Sequence, residues 1–174
     1  SQGVHLIDSR EGFLASGLHG KGRMAEPEEI LEELNAILGA DKPLKGQKVL
    51  ISAGPTRVYL DPVRFISNPS TGTMGYMLAE EAALLGAEVQ LISGPVHLKL
   101  NHPNVHITNV ETVDEMSEEM HKNFEESTIV ISAAAVGDYQ PRVRQSEKIK
   151  KSGDSLNLEL VKTKDILFEL GKIK

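Results

Sequence analysis

A polar stretch between residues 54 and 75 contains side chains that could hold an anionic ligand. Arginine binds phosphate or carboxylate through two parallel hydrogen bonds, and glycine lets the backbone approach a phosphate closely. The stretch could therefore hold a phosphate, although its glycines could equally serve as turn residues only. The residues concerned are Gly54, Arg57, Asp61, Arg64, Asn68, Ser70, Thr71, Gly72 and Gly75.

The flanking residues predict a strand before this stretch and a helix after it. The apolar run 49–51 ends at Gly54-Pro55, the pattern of a buried strand that breaks into a loop. After Gly72, apolar residues recur at helical spacing as far as Gly86. We therefore predict a strand, a long loop and a helix, whose N-terminus could offer free N–H groups and the positive end of its dipole to a phosphate.

Strands and helices continue to alternate towards the C-terminus. Residues 88–93, 105–110 and 128–135 predict strands, and the last, apolar throughout, is expected to be a central strand buried on both faces. Thr112 and Glu115 form a capping box that begins a helix. This order predicts an α/β fold with a doubly wound, mostly parallel, Rossmann-like sheet and helices on both faces. Ligands are then expected at the carboxyl ends of the strands.

Both ends of the chain are less regular. Residues 1–24 are rich in glycine and predicted to be irregular, and a helix is predicted from Pro27 to Gly39, followed by a linker to residue 46. Near the other end, alternation over 156–161 predicts a half-exposed strand, and a further helix is predicted from Asp165.

Composition excludes several classes of protein. The chain has 174 residues, a net charge of -6 and 40% hydrophobic residues, which suits a domain with a real core. No apolar run approaches the roughly 20 residues of a membrane span, so we expect no membrane partner and a cytoplasmic location. The absence of cysteine excludes disulfides and thiolate chemistry. The acidic balance argues against nucleic-acid binding.

Several motifs resemble phosphopantothenoylcysteine synthetase, the ligase half of the bifunctional decarboxylase/synthetase of coenzyme A biosynthesis. The resemblance covers residues 48–167. The similar segments are G-P-T-R at 54–57, D-P-V-R-F-I-S-N at 61–68, S-T-G-T-M-G at 70–75, A-A-A-V-G-D-Y at 133–139, E-K-I-K-K at 147–151 and V-K-T-K-D-I-L at 161–167.

The resemblance implies a ligation of 4′-phosphopantothenate with cysteine that consumes CTP and uses Mg²⁺. A substrate carboxylate attacks the α-phosphate of CTP, and the amine of cysteine then displaces CMP. Asn68 is implied to hold the carbonyl of the acyl-cytidylate, and Lys148 to act on the CTP phosphates from a flexible flap. The implied nucleotide and substrate set is Gly54, Thr56, Arg57, Ser70, Thr71, Gly72, Ser132, Ala133, Ala134, Asp138, Lys164, Asp165, Ile166 and Leu167, with Asp138 also at the metal.

The resemblance also implies a division of the chain. Residues 1–43 resemble the tail of the decarboxylase plus a linker, with Ser16 where many relatives have cysteine, and residues 44–174 a C-terminally incomplete synthetase domain. FMN would bind only in the upstream decarboxylase region, so we expect no decarboxylation here. The family continues with a segment that completes the nucleotide pocket, and we expect little activity without it. Relatives form homodimers, and we expect one here, with a higher oligomer in the full-length bifunctional protein.

This sequence departs from the family pattern at several positions. Thr73 replaces a lysine near the phosphate end, Pro55 replaces a glycine, and Gly137 replaces an alanine. Thr163-Lys164 replaces Asn-Pro. Each change alters backbone shape or local charge within a motif.

Other interpretations of the same residues remain open. A non-catalytic nucleotide-binding or scaffold fragment would keep the fold without the chemistry. A short-chain oxidoreductase would need G-x-G-x-x-G after Ile51, where the sequence has Gly54-Pro55-Thr56. The lysine-rich run 147–151 could be a solvated turn. His97, His102 and His106 favour solvated side chains over a metal site, because no carboxylate is spaced with them.

Overall fold

The computed structural model describes residues 6–13, 19–37, 42–151 and 153–173. The chain divides into two compact units, Ser1–Asp41 and Lys42–Lys174. None of the helices in the described residues is long and apolar enough to cross a membrane.

The smaller unit contains a β-hairpin and a helix. Strand β1 (Arg10–Phe13) pairs antiparallel with β2 (His19–Arg23), and α1 spans Pro27–Ile37. The prediction that residues 1–24 are irregular is therefore wrong for the hairpin. Most of its side chains are exposed, so no apolar alternation marks these strands. The predicted helix end at Gly39 lies outside the described residues.

The larger unit begins with the strand and helix predicted around the polar stretch. Strand β3 spans Lys48–Ala53, and the segment that follows is an antiparallel hairpin of β4 (Arg57–Asp61) and β5 (Arg64–Ser67) ahead of α2 (Thr73–Leu84). The prediction of a plain long loop is wrong here. The side chains of β5 are exposed throughout, which removes the alternating pattern that would have indicated a strand.

Three more strands and a helix complete the main sheet. They are β6 (Glu88–Ser93), β7 (Val105–Asn109), α3 (Val113–Phe124) and β8 (Ile129–Ser132). The four strands are all parallel in the order β7-β6-β3-β8. The α/β fold is confirmed, and so is the capping box, in which the Thr112 and Glu115 side chains each accept backbone hydrogen bonds at the start of α3.

Strand β8 lies at the edge of this four-stranded sheet, so its prediction as a central strand is wrong. Its apolar run has a different cause: Ile129 and Ile131 pack on one face of the sheet and Val130 on the other. The strand also ends at Ser132, three residues earlier than predicted. Apolar residues on both faces of a strand indicate that helices cover both faces of the sheet. They do not indicate that the strand has a neighbouring strand on each side.

Successive residues of β3 direct their side chains into two separate cores. Val49, Ile51 and Ala53 pack with the buried side of α2, including Tyr76 and Ala79. On the opposite face, Leu50 packs with residues of α3 and of a short C-terminal helix: Met116, Met120, Ile166 and Leu170. The sheet therefore has helices on both faces, as the sequence predicted.

Two short strands and a helix lie beside the end of β8. Strand β9 (Tyr139–Pro141) pairs antiparallel with β10 (Leu160–Lys162), and α4 spans Ile166–Gly171. The strand predicted over 156–161 is wrong for most of its length, because only its last two residues join β10. Leu156 and Leu158 lie instead in the connection from β9, where they are 58% and 39% exposed.

Candidate functional site

The residue that follows β3 and the residue that precedes α2 lie against each other, although the β4–β5 hairpin separates them in the chain. Gly54 and Gly72 both have left-handed backbone angles, with φ of 74° and 76°. A Cβ on Gly72 would lie 3.3 Å from the backbone N of Gly54. The Gly72 N–H donates to Ser70 Oγ at 3.3 Å, and the hydroxyls of Thr71 and Thr73 are 2.8 Å apart. The structure thus brings together the predicted site residues of this turn at the carboxyl end of the sheet.

Gly75 lets α2 lie directly on the end of β3. A Cβ added to Gly75 would lie 2.5 Å from Cβ of Ala53 and 3.1 Å from its Cα. Real Cβ atoms essentially never approach another atom to 2.5 Å, so any larger residue at this position would push the helix away from β3.

Asn68 links this turn to the segment that follows β8. Its Nδ2 donates to the carbonyl oxygen of Val136 at 3.0 Å, with a longer contact of 3.4 Å to the carbonyl of Ala135. The Asn68 side chain is exposed, so its carboxamide remains accessible to a ligand. The bond fixes the amide orientation because only the NH₂ group can donate to a carbonyl.

A cavity of about 620 Å³ lies beside the residues that follow β8. Its size falls within the range of about 300–1,000 Å³ typical of small-molecule sites. It brings together several of the predicted nucleotide residues, namely Ser132, Ala134, Asp138, Lys164, Asp165, Ile166 and Leu167. Ala133 is not among its lining residues, and its N–H donates to the Ser52 carbonyl at 3.2 Å.

Thr163 holds the two sides of this cavity together. Its N–H donates to the carbonyl of Asp138 at 2.9 Å, and its hydroxyl donates to the carbonyl of Gly137 at 2.5 Å. The residue stands where the resembled family has asparagine, and sequence reasoning did not assign it a role. Its hydroxyl and N–H provide local contacts that a motif comparison alone could not reveal.

Two predicted binding residues are engaged in structural contacts at the edge of the cavity. The carboxylate of Asp165 caps α4 by accepting from the Phe168 N–H at 3.0 Å. Lys164 Nζ lies 3.1 Å from Asp114 Oδ1 at the start of α3. The hydrogen bond and charge of Asp114 raise the pKa of Lys164, so this lysine stays cationic.

Thr56 is hydrogen-bonded to the segment that forms the wall of this cavity. Its side chain is fully buried, and its hydroxyl accepts from the Gly137 N–H at 2.9 Å. A Cβ on Gly137 would lie 2.9 Å from Cγ2 of Val58, so an alanine here would require the Val58 side chain to shift. We therefore assign Thr56 a positioning role towards Gly137.

Arg57 is placed apart from the cavity lined by Asp138. Its guanidinium forms an ion pair with Glu111 and lies 4.5 Å from the ring centroid of Phe65. Tyr59 also donates to Glu111, at 2.8 Å. Glu111 was not identified from the sequence, because the pairing depends on the hairpin lying against the end of β7.

Lys148 also lies on a different cavity from Asp138. That cavity, of about 500 Å³, is lined by the loop between β9 and β10 together with Leu60 of β4. Lys148 is exposed. The structure therefore places Lys148, the predicted ligand of the triphosphate, and Asp138, the predicted ligand of the metal, on two different cavities.

The buried carboxylate of Asp61 lies close to Lys148 in the fold. Asp61 is fully buried and accepts from the N–H groups of Val63, Arg64 and Ile149 at 2.8, 2.9 and 3.0 Å, and from the Arg64 guanidinium. Burial raises its pKa, but the backbone hydrogen bonds and Arg64 outweigh burial and lower the pKa from 3.8 to about 2. The sequence placed Asp61 and Arg64 among possible ligand-binding groups, whereas the structure pairs them with each other.

Asp138 is the predicted metal-binding residue. In the described parts of the chain, no group of three histidine, aspartate or glutamate side chains could hold a metal ion. Mg²⁺ in nucleotide sites commonly takes only one or two carboxylates, and substrate phosphates and water supply its other ligands. An exposed aspartate on a nucleotide-sized cavity fits that pattern.

Comparison with known proteins identifies similar sequences and structures. A family model described as DNA/pantothenate metabolism flavoprotein C-terminal domain matches residues 44–174. A cysteine/cysteine sulfinic acid decarboxylase from an unknown prokaryotic organism is 47% identical over 178 residues, covering 100% of this chain and 50% of that protein. The coenzyme A biosynthesis bifunctional protein CoaBC of Haemophilus influenzae is 44% identical over 174 residues, covering 100% of this chain and 43% of that protein.

A crystal structure of the C-terminal domain of a CoaBC protein has the same fold. It superposes with a TM-score of 0.66 at 41% sequence identity and covers 76% of this chain and 62% of that chain. The present chain spans about half the length of the curated relatives that it matches.

Proposed function

Because this chain belongs to the family of DNA/pantothenate metabolism flavoprotein C-terminal domains, we propose that it carries out CTP-dependent ligation of 4′-phosphopantothenate with cysteine. Similarity to CoaBC proteins supports a role in coenzyme A biosynthesis. The observation that carries the finer proposal is the bond from Asn68 to the Val136 carbonyl. It connects the turn before α2 with the wall of a nucleotide-sized cavity.

The proposed reaction has two steps. A carboxylate oxygen of phosphopantothenate attacks the α-phosphorus of CTP, which forms an acyl-cytidylate and releases pyrophosphate. The amine of cysteine then attacks the acyl carbonyl, loses a proton and displaces CMP. Because carboxylate and triphosphate repel each other, the protein must mainly neutralise charge and align the reacting groups.

The cavity lined by Asp138 is the proposed site of the nucleotide. Small side chains at Ser132 and Ala134 leave room for a flat base or ribose against the backbone. Asp138 would hold Mg²⁺ together with the phosphates, and the ion would supply positive charge to the triphosphate. The ammonium of Lys164, on the same lining, adds a cation within this part of the protein.

Asn68 is the proposed ligand of the acyl carbonyl in the second step. Its NH₂ group is shared with the carbonyls of Ala135 and Val136, but a primary amide has two N–H donors and one of them can serve a ligand. A donor aimed at the acyl oxygen would stabilise the charge that develops there when cysteine attacks.

A non-catalytic nucleotide-binding module is the second candidate. One observation favours it: Lys148 and Asp138 line different cavities. For catalysis, the side chain of Lys148 must reach from its own cavity to the triphosphate, and the loop that carries it would shield a reactive acyl-nucleotide from water. A binding module would not need this contact.

Calorimetric titration of the chain with CTP, ATP and NADH in the presence of Mg²⁺ tests the proposal. If the chain is the proposed ligase, CTP should bind more tightly than ATP or NADH. The substitution Asp138→Asn should then reduce the affinity for CTP by at least about tenfold, or ~1.4 kcal/mol. Asp154→Asn, an equal charge change on an exposed residue, is the matched control and should bind as the unmodified chain does. Equal binding of all three nucleotides would support the non-catalytic module, and preference for NADH would contradict both candidates.

A further inference from the structure

The loop between β9 and β10 is bonded to the β4–β5 hairpin at two places. The two ends of the loop are also joined to each other, because Arg142 pairs with Glu159 through a backbone hydrogen bond of 2.9 Å and an ion pair of 2.7 Å. Further along, the Gln145 N–H donates to the carbonyl of Leu60 at 3.0 Å. The second attachment is at Ile149, between the lysines of the E-K-I-K-K segment.

Ile149 is held through both of its backbone polar groups. Its N–H donates to Asp61 Oδ2 at 3.0 Å, and its carbonyl accepts from Arg64 Nη1 at 3.1 Å. Asp61 and Arg64 also pair with each other. The two side chains thus form a clamp, which we call the Asp61–Arg64 clamp, on a residue 88 positions away from Asp61 in the chain.

The energetics of this clamp depend on its being complete. A buried carboxylate is costly unless hydrogen bonds and a countercharge compensate its lost hydration. Asp61 is fully buried and receives these bonds from its own turn and from Ile149. Opening the loop at Ile149 would remove one bond to a charged acceptor, which is stronger than a bond between neutral groups.

The clamp holds Ile149, the residue next to Lys148, within a segment that is otherwise exposed. Lys148 and Lys150 are both exposed, whereas Ile149 between them is half-buried. Fixing the backbone at Ile149 restricts the Cα of Lys148 and leaves its ammonium free to reach for a ligand. A long lysine side chain loses much rotamer entropy when it is ordered, so a fixed starting point lowers the cost of binding.

We propose that Asp61, held by Arg64, is a positioning residue that anchors the β9–β10 loop at Ile149 and so places Lys148 for the triphosphate. The anchoring stands on the contacts alone, whereas the placement of Lys148 rests on the proposed function. The two parts are therefore tested by separate measurements.

Limited trypsin digestion tests the anchor without any ligand, because trypsin cleaves after lysine and the segment contains three. Asp61→Asn and Arg64→Gln should each speed cleavage after residues 148, 150 and 151 by at least about tenfold. Arg64 has a side chain that is 42% exposed, so Arg64→Gln keeps the test decisive should Asp61→Asn fail to fold. Glu126→Gln, which removes an exposed ion pair with Lys48, is the control. Cleavage at the unmodified rate in a folded Arg64→Gln variant would overturn the anchor.

CTP affinity in a double-mutant cycle tests the placement of Lys148. Arg64→Gln should weaken CTP binding several-fold in the unmodified background and have little effect when Lys148→Gln is already present. An equal loss in both backgrounds would overturn the positioning role, since a general structural defect would act in both. If Lys148→Gln alone leaves CTP affinity unchanged, the positioning role is likewise overturned, while accelerated cleavage would keep the anchor.

Discussion

Nδ2 of Asn68 lies 3.0 Å from the carbonyl oxygen of Val136. This hydrogen bond joins residues 68 positions apart in the chain and links the two motifs on which the functional proposal depends. One motif forms the turn before α2, and the other forms the wall of the cavity lined by Asp138. The amide of Asn68 is thus oriented before any ligand binds.

Asn68→Asp should separate the two steps of the proposed ligation. A carboxylate cannot donate to the acyl oxygen and would be repelled by the carbonyls of Ala135 and Val136. We expect the acyl-cytidylate to form as before, while amide formation slows by at least about tenfold, or ~1.4 kcal/mol in the barrier. A cysteine-dependent CMP-release assay measures this. Asn101→Asp introduces the same charge in an exposed loop and serves as control, and full turnover by Asn68→Asp would contradict the role of Asn68.

Gly75→Ala should destabilise the fold. The new Cβ would lie 2.5 Å from Cβ of Ala53, so α2 must move away from β3, at a cost of about 1–3 kcal/mol for an overpacked core. Urea unfolding followed by circular dichroism measures the change in free energy. Gly171→Ala is the matched control because a Cβ there meets nothing within 4 Å. A free energy of unfolding equal for both variants would show that α2 does not depend on this close approach.

The stability that Asp61 provides should disappear in acid. Its pKa is lowered from 3.8 to about 2, so the folded state favours the charged carboxylate, and its contribution is fully present above about pH 4. As the pH falls, Asp61 takes up a proton in the unfolded chain before it does so in the folded chain. The contribution of Asp61 to the free energy of unfolding therefore declines between about pH 4 and pH 2. The difference in unfolding free energy between the unmodified chain and Asp61→Asn should narrow across this range. A difference independent of pH would show that the Asp61 charge does not stabilise the fold.

Local signals in the sequence were sufficient to predict the elements that build the main sheet. The apolar run of β3 and the spacing of Thr112 and Glu115 each depend on residues close in the chain, and both predictions are confirmed. The hairpin of β4 and β5 was missed because its exposed strand lacks apolar alternation.

The site was harder to predict because its geometry depends on contacts between distant residues. Asp61 is an aspartate in a turn, which normally indicates an exposed side chain, yet the hairpin and the β9–β10 loop bury it completely. Gly72 and Gly75 were predicted to allow a close backbone approach, and the structure shows that both lie directly against the residues at the end of β3. In contrast, the motifs could not indicate that Arg57 would pair with Glu111 or that Lys148 would line a cavity of its own.

Crystals of the chain soaked with CTP and Mg²⁺ test the central claim most directly. The account predicts electron density for cytidine against residues 132–138, with the metal at Asp138 and the phosphates within reach of Lys148. Nucleotide density at another surface, with this cavity unchanged, would contradict the account.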